Sequence, residues 1–167
     1  LKSAFSMTEP ETAGSDPTQL QTRAIRDGDE YVITGHKWFT SNGSIADFLI
    51  VMAVTDPEAR PHQRATMFIV PADTPGVNIL RDVPTMEHPQ PRFGVLGGHS
   101  EILYDGVRLG HDALLGAEGE GFLIAQKRRG GISHEGHLGG ALVGLALTGV
   151  LAPRGLQPLI RWFAQWS

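Results

Sequence analysis

The 167-residue chain has 14 Lys+Arg against 18 Asp+Glu, a formal net charge of −4, and no cysteine. This length predicts one domain, with room for a small appendage and a core that needs no disulfides. The composition excludes disulfides and thiolate metal sites, and the lack of a dense basic stripe with interleaved aromatic residues argues against a nucleic-acid partner.

The first two thirds of the sequence alternate strand-like runs with turn residues. A hairpin is predicted where residues 21–26 and 30–35 flank Asp27-Gly28-Asp29, and residues 37–40 continue in extended form. The apolar run 47–55 (DFLIVMAVT) predicts a strand buried on both faces. Further strands are predicted at 66–70, 77–83, 100–104 and 107–109, with an irregular connection at 84–98. The pattern predicts an all-β fold, a sandwich or a barrel.

Helical spacing appears only near the end of the chain. Residues 119–129 (GEGFLIAQKRR) place Phe122, Ile124 and Ala125 on one apolar side and end in basic residues, which predicts a helix. The rest of the chain lacks this pattern. Residues 138–152 are uncharged but Gly-rich and shorter than the ~20 residues of a bilayer span. We therefore expect no membrane span and an atypical, poorly ordered tail at 130–167. The start at Leu1 rather than Met, without a signal-peptide pattern, suggests a fragment.

Two stretches could carry chemistry. Residues 7–16 (MTEPETAGSD) combine a hydroxyl and a carboxylate with an Ala-Gly-Ser-Asp corner, which a plain surface turn would also explain. Trp38 and Thr40, at i and i+2 of a strand, are expected on one face, where an aromatic wall beside a hydroxyl would suit a flat heteroaromatic ring. The alternative is that Trp38 belongs to the core and Thr40 is an ordinary strand residue.

The histidines do not predict a metal or nucleophile site. Only one residue separates Glu135 from His137, where the helical zinc motif has two. The sequence His99-Ser100-Glu101 lies on a strand, whose neighbouring side chains point to opposite faces. The glycine-rich run 116–121 does not follow a strand of a βαβ unit, so it is not a dinucleotide fingerprint.

Five motifs, in one order and spacing, resemble the middle β-domain of the acyl-CoA dehydrogenases. They are FSMTEPETAGSD (5–16), DEYVITGHKWFTSN (29–42), FIVPADTPG (68–76), GHSEI (98–102) and GEGF (119–122). Glu11-Thr12, where many members have a single Gly, is similar to the branch that contains family members 10 and 11. The resemblance implies the middle β-domain at 1–118, the start of a C-terminal helical domain at 119–129, and an atypical tail at 130–167.

The resemblance also implies an FAD site and an acyl-CoA site. Thr8 would donate to the pyrimidine edge of the flavin, Trp38 would pack beside the ring, and Thr40 would lie near its N5. Ser15 would contact the acyl-CoA. The flavin carries the redox chemistry, so these residues would orient and tune it. The full set expected at the flavin is Phe5, Ser6, Met7, Thr8, Trp38, Phe39 and Thr40.

The reaction implied by the resemblance is α,β-dehydrogenation of an acyl-CoA thioester. The family's carboxylate base lies in a helical domain that no part of this sequence matches, so no catalytic residue is assigned and this chain alone is expected to be inactive. Electron-transfer flavoprotein is the implied acceptor, full-length relatives would be homo-oligomeric, and the bacterial cytoplasm or else the mitochondrial matrix would be the location. A related acyl-CoA oxidase-type flavoprotein and a β-sandwich binding module without redox activity are the alternatives.

Overall fold

The computed structural model describes residues 1–14, 16–86, 89 and 97–128, and only the backbone at 126–128. Residues Leu1–Ala125 form one compact unit, and Gln126–Ser167 are assigned to a second. The strands are β1 (Ser3–Ser6), β2 (Arg23–Asp27), β3 (Glu30–Ser41), β4 (Phe48–Val54), β5 (Ala65–Pro71), β6 (Val77–Val83) and β7 (His99–Gly110), and the helix is α1 (Gly121–Arg128). Ser15, the histidines at 134 and 137 and the tail at 130–167 lie outside the described residues.

All seven described strands belong to one curled sheet, a half-barrel, in the order β1-β4-β2-β3-β7-β6, with β5 on β4. The predicted all-β class is confirmed. Strand β4 is central, since β5 pairs along its whole length while β1 and β2 run parallel to it at its two ends. This parallel pairing brings β1 and the segment that follows it into the middle of the domain.

The predicted hairpin is confirmed as β2 and β3, which pair antiparallel from Asp27↔Glu30 onwards. Its two-residue turn begins at Gly28, whose φ of 64° favours glycine. The two strands predicted at 100–104 and 107–109 form a single strand, β7, because a bulge at Asp105–Gly106 absorbs the extra residue against β3.

The core lies on both faces of β4, as the apolar run predicted. Leu49, Val51 and Ala53 pack into the larger cluster with side chains from β3, β5 and β7. Met52 and Val54 pack on the opposite side in a second cluster. The apolar side of α1 joins this second cluster through Phe122, Ile124 and Ala125, which confirms the predicted helix with its start two residues later.

Candidate functional site

The two motifs predicted to carry chemistry lie against each other. The Thr8 hydroxyl donates to the Trp38 carbonyl at 2.7 Å, and the Trp38 N–H donates to the Thr8 carbonyl at 3.1 Å. The segment after β1 is therefore fastened to β3 by a reciprocal pair of hydrogen bonds. Since the one hydroxyl proton of Thr8 is donated to Trp38, this oxygen is left with lone pairs that can accept from a ligand.

A bulge in β3 determines which side chains of the second motif are exposed. Lys37 pairs with Ile102 and Thr40 pairs with Ser100, so that Trp38 and Phe39 together oppose Glu101. Phe39 has a φ of 53°, in the left-handed region. The alternation of faces is interrupted here, and the prediction that Trp38 and Thr40 share a face is wrong.

Thr40 points into the domain. It is fully buried, and its hydroxyl contacts the Ser6 hydroxyl at 3.1 Å. Tyr104 Oη lies 2.9 Å from the same Ser6 oxygen, and burial raises the pKa of the Tyr104 phenol well above its usual range. These three hydroxyls link β1, β3 and β7 inside the sheet. Thr40 therefore has a partner in the core, and in this arrangement its hydroxyl is not open to a ligand.

The exposed side of the bulge carries aromatic rings beside a hydroxyl. Phe39 is 42% exposed, and its ring centroid lies 4.7 Å from that of the half-buried Trp38 and 6.4 Å from that of His99. The exposed Ser41 hydroxyl is 2.9 Å from His99 Nδ1. The combination that the sequence suggested for Trp38 and Thr40 thus occurs one residue further along, at Phe39 and Ser41.

Below this surface, Glu9 and Lys37 form a buried ion pair. Their side chains are 1% and 0% exposed, and Lys37 Nζ lies 2.9 Å from Glu9 Oε1. Burial lowers the pKa of the Lys37 ammonium to about 8, against the opposing effect of Glu9. Burial acts to raise the pKa of Glu9. The Lys37 charge and the hydrogen bonds that the Glu9 carboxylate accepts outweigh this effect and hold the pKa below its usual value.

A shallow groove follows the loop between Glu9 and Gln21. Asp16 organises this loop, because its carboxylate accepts from the Thr18 N–H at 3.1 Å, the Thr18 hydroxyl at 2.5 Å and the Gln19 amide at 2.7 Å. The loop thus presents a shaped wall next to Thr8. The described residues that line the groove are Met7, Thr8, Thr12, Ala13, Gly14, Asp16, Pro17 and Leu20.

The structure brings most of the predicted site residues to one region, at different depths. Met7 and Thr8 are half-buried, Phe5 and Phe39 are exposed, and Ser6 and Thr40 are buried. The sequence interpretation missed three residues of this region: Glu9, Lys37 and Ser41. A signal for Lys37 was present, since the inward alternation of Tyr31 and Ile33 reaches it four residues after Ile33, and an inward lysine needs a buried counter-charge.

Other chemistry finds no support in the described part of the chain. Within those residues there is no cluster of three or more potential metal ligands, and no helix is long and apolar enough to cross a bilayer. The strand neighbours at 99–101 contact different partners. His99 contacts Ser41, Ser100 donates to Asp82 at 2.6 Å, and Glu101 pairs with Arg81.

The comparisons with known proteins agree with this fold. The model of the acyl-CoA dehydrogenase middle domain matches residues 4–93. The probable acyl-CoA dehydrogenase FadE2 of Mycobacterium tuberculosis is 48% identical over 132 residues, covering 78% of this chain and 31% of FadE2. Acyl-CoA dehydrogenase family member 10 of Mus musculus is 37% identical over 134 residues, covering 78% of this chain and 12% of the mouse protein.

Solved structures show the same relationship. The acyl-CoA dehydrogenase of Geobacillus kaustophilus superposes with a TM-score of 0.65 at 35% identity, over 75% of this chain and 31% of that protein. The FAD complex of PigA superposes with a TM-score of 0.66 at 28% identity, over 75% of this chain and 30% of PigA. The fold is thus that of an acyl-CoA dehydrogenase middle β-domain, and the chain belongs to the acyl-CoA dehydrogenase family. It spans about a third or less of the length of these relatives.

Proposed function

We propose that this chain is the flavin- and acyl-CoA-contacting domain of an FAD-dependent acyl-CoA dehydrogenase. The observation that carries the proposal is the joining of Thr8 to Trp38, which places the loop motif beside the exposed aromatic rings of β3. An aromatic face next to hydroxyl groups is a surface on which a flat, partly polar ring can bind. The FAD complex of a structural neighbour supports the choice of FAD.

The side chains present fit a flavin. Phe39 and the half-buried Trp38 offer an apolar wall. With the proton of His99 on Nδ1, the exposed Ser41 hydroxyl accepts from His99 at 2.9 Å and can donate its own proton to a ring nitrogen. Thr8 offers its hydroxyl oxygen as an acceptor for the N–H of the pyrimidine ring. We therefore propose Ser41 as the donor that was expected at Thr40, and Thr8 as an acceptor where a donor was expected.

The role of these residues is to bind and orient. When bound, FAD supplies the hydride acceptor for α,β-dehydrogenation of an acyl-CoA. The loop between Glu9 and Gln21 would hold the acyl-CoA beside it, with Ser15 as the proposed contact. The described carboxylates near the site are already engaged. Glu9 is buried against Lys37, and Glu101 is paired with Arg81 and His36. Asp16, in the groove, accepts hydrogen bonds from Thr18 and Gln19. The base would come from a segment outside this chain.

The proposal is tested by titrating the chain with FAD and following flavin fluorescence. We expect saturable, weak quenching, and Phe39→Ala should weaken the affinity about 2- to 12-fold, because an aromatic contact contributes ~0.5–1.5 kcal/mol beyond its area. Ile79→Ala, an exposed apolar side chain on β6, is the matched control and should bind FAD unchanged. Absence of saturation, or equal affinity of Phe39→Ala and the parent chain, would overturn the proposal.

A further inference from the structure

The Glu9 carboxylate lies where both ends of the loop 10–20 come together. Glu9 directly precedes the loop, and the two residues that follow the loop donate their backbone N–H groups to its carboxylate. Gln21 N–H reaches Oε2 at 2.6 Å and Thr22 N–H reaches Oε1 at 2.9 Å. One buried side chain therefore closes the loop at its base.

Lys37 extends the same arrangement to the segment before the loop. Besides Glu9 Oε1, its ammonium donates to the Met7 carbonyl at 2.7 Å. Met7 immediately precedes Thr8, whose hydroxyl and carbonyl bond to Trp38. Lys37 thus fixes the backbone of the residue next to the proposed flavin contact, while Glu9 fixes the loop that forms the neighbouring wall.

The packing around Thr22 shows how closely this corner is built. A Cβ atom on Gly35 would lie 2.3 Å from Thr22 Oγ1, so only glycine lets β3 approach the end of the loop this closely. Gly35 is two residues from Lys37 on the same strand, and Thr22 is 1% exposed. The backbone N–H groups that Glu9 binds are therefore held at a fixed position relative to β3.

Stability alone does not account for an ion pair at this position. Removing two charges from water costs free energy that their attraction often fails to recover, and apolar replacements of similar volume are commonly neutral or stabilising. What apolar side chains cannot do is accept two backbone N–H groups and donate to a carbonyl at the same time. The distinctive property of the Glu9–Lys37 pair is the set of backbone groups it holds.

We propose that Glu9 and Lys37 are positioning residues of the candidate site, which set the loop 10–20 and the Met7–Thr8 backbone before any ligand binds. The identity of that ligand rests on the proposed function, but the positioning of the loop does not. A site ordered in advance loses less conformational entropy on binding, so the pair would raise affinity without touching the ligand.

The test compares amide hydrogen exchange in the full chain and in the double variant Glu9→Met/Lys37→Met, which leaves no unpaired buried charge. We expect exchange at Gln21 and Thr22 to accelerate at least about tenfold, because a hydrogen bond to a charged group contributes ~1.5–3 kcal/mol. Core amides such as Val51 should keep their rates. The single variant Glu9→Gln should in addition lower the unfolding temperature, since Lys37 remains buried without its counter-charge.

Glu11→Gln is the matched control, because Glu11 lies on the same segment but is exposed, and its ion-pair partner among the described residues is His36, at 3.4 Å. Its exchange rates at Gln21 and Thr22 should equal those of the parent chain. Unchanged exchange rates at Gln21 and Thr22 in the double variant would overturn the proposal. An acceleration at these two amides that is no larger than the acceleration at core amides would overturn it as well. A parent chain that fails to bind FAD would contradict the proposed function and leave this exchange result fully interpretable. If FAD does bind, the double variant should bind it more weakly than the parent chain at a temperature where both are fully folded.

Discussion

Thr8 and Trp38, thirty positions apart in sequence, hold each other by two hydrogen bonds, from the Thr8 hydroxyl to the Trp38 carbonyl and from the Trp38 N–H to the Thr8 carbonyl. The first of these uses a side-chain proton, so a change at Thr8 can remove it without disturbing the backbone bond. The contact between the loop motif and β3 can therefore be tested by substituting Thr8.

Thr8→Val keeps the shape of the side chain and removes the hydroxyl. We expect a loss of ~0.5–1.5 kcal/mol in the free energy of unfolding, the usual net contribution of such a hydrogen bond. We also expect weaker FAD binding, because the acceptor oxygen is lost as well. Denaturant unfolding and FAD titration measure the two effects.

Thr74→Val is the control for this variant, since the Thr74 hydroxyl also donates to a backbone carbonyl, that of Pro71 at 2.8 Å, in an exposed turn. It should leave FAD binding as it is in the parent chain. If Thr74→Val and Thr8→Val affect FAD equally, Thr8 has no special place in the site.

Substitutions at Thr40 and Ser41 should have different effects, one on the stability of the fold and the other on FAD binding. Thr40→Val removes a hydroxyl that contacts Ser6 in the interior, so it should lower the free energy of unfolding by about 1–3 kcal/mol while affecting FAD affinity little. Ser41→Ala changes an exposed side chain and should weaken FAD binding at nearly unchanged stability. The reverse pattern, with Thr40→Val weakening FAD and Ser41→Ala having no effect, would restore Thr40 as the flavin contact.

Acid should destabilise the domain through Glu9 and Glu101. Hydrogen bonding from Arg81 outweighs burial and lowers the pKa of Glu101 from its usual value of 4.5. Burial acts to raise the pKa of Glu9, but the Lys37 charge and the hydrogen bonds to the Glu9 carboxylate together lower it from 4.5. Above that value both groups are ionised in the folded and unfolded chains, and their stabilisation is complete. As the pH falls below it, the unfolded chain binds protons first, so stability decreases until the folded pKa is passed.

The variant Glu101→Gln should therefore flatten the decline of the urea midpoint as the pH falls below the usual carboxyl pKa of 4.5. Glu58→Gln, at an exposed carboxylate, serves as the comparison and should keep the parent slope. An identical slope in Glu101→Gln and the parent chain would show that the pairing with Arg81 does not stabilise the fold.

This chain alone should not dehydrogenate an acyl-CoA. Proton abstraction needs a base within ~2.6–3.2 Å of the donor atom or one water away. The described carboxylates nearest the site are already engaged: Glu9 and Glu101 in ion pairs, and Asp16 in hydrogen bonds from Thr18 and Gln19. The assay mixes the chain with FAD, a range of acyl-CoA thioesters and an artificial electron acceptor. Acceptor reduction above the protein-free rate would mean that a base lies within these residues.

Local patterns in the sequence predicted the elements well because local forces determine them. The Asp27-Gly28-Asp29 turn specified a hairpin, and the uninterrupted apolar run specified a strand covered on both faces. The bulge at Trp38 and Phe39 was not predictable in this way, since it arises from the register of β3 against β7. The face prediction for Trp38 and Thr40 failed for that reason.

The sequence predicted which segments form the site but not the buried contacts beneath it. The motifs indicated which segments would meet, whereas the Glu9–Lys37 pair depends on contacts between residues far apart in sequence. The free-energy cost of burying a lysine is offset by partners that only the folded chain brings close to it. For the same reason the donor at the exposed end of the bulge could not be assigned to Ser41 rather than Thr40 from the sequence.

NMR can show whether the loop motif and the bulge of β3 together form a flavin-binding surface. Amide chemical shifts of the chain are followed during titration with FAD, a measurement that also detects weak binding. We expect saturable shifts at Met7, Thr8, Phe39 and Ser41, and none at the hairpin turn around Gly28. Shifts confined to other regions, or none at these residues up to the solubility of FAD, would contradict it.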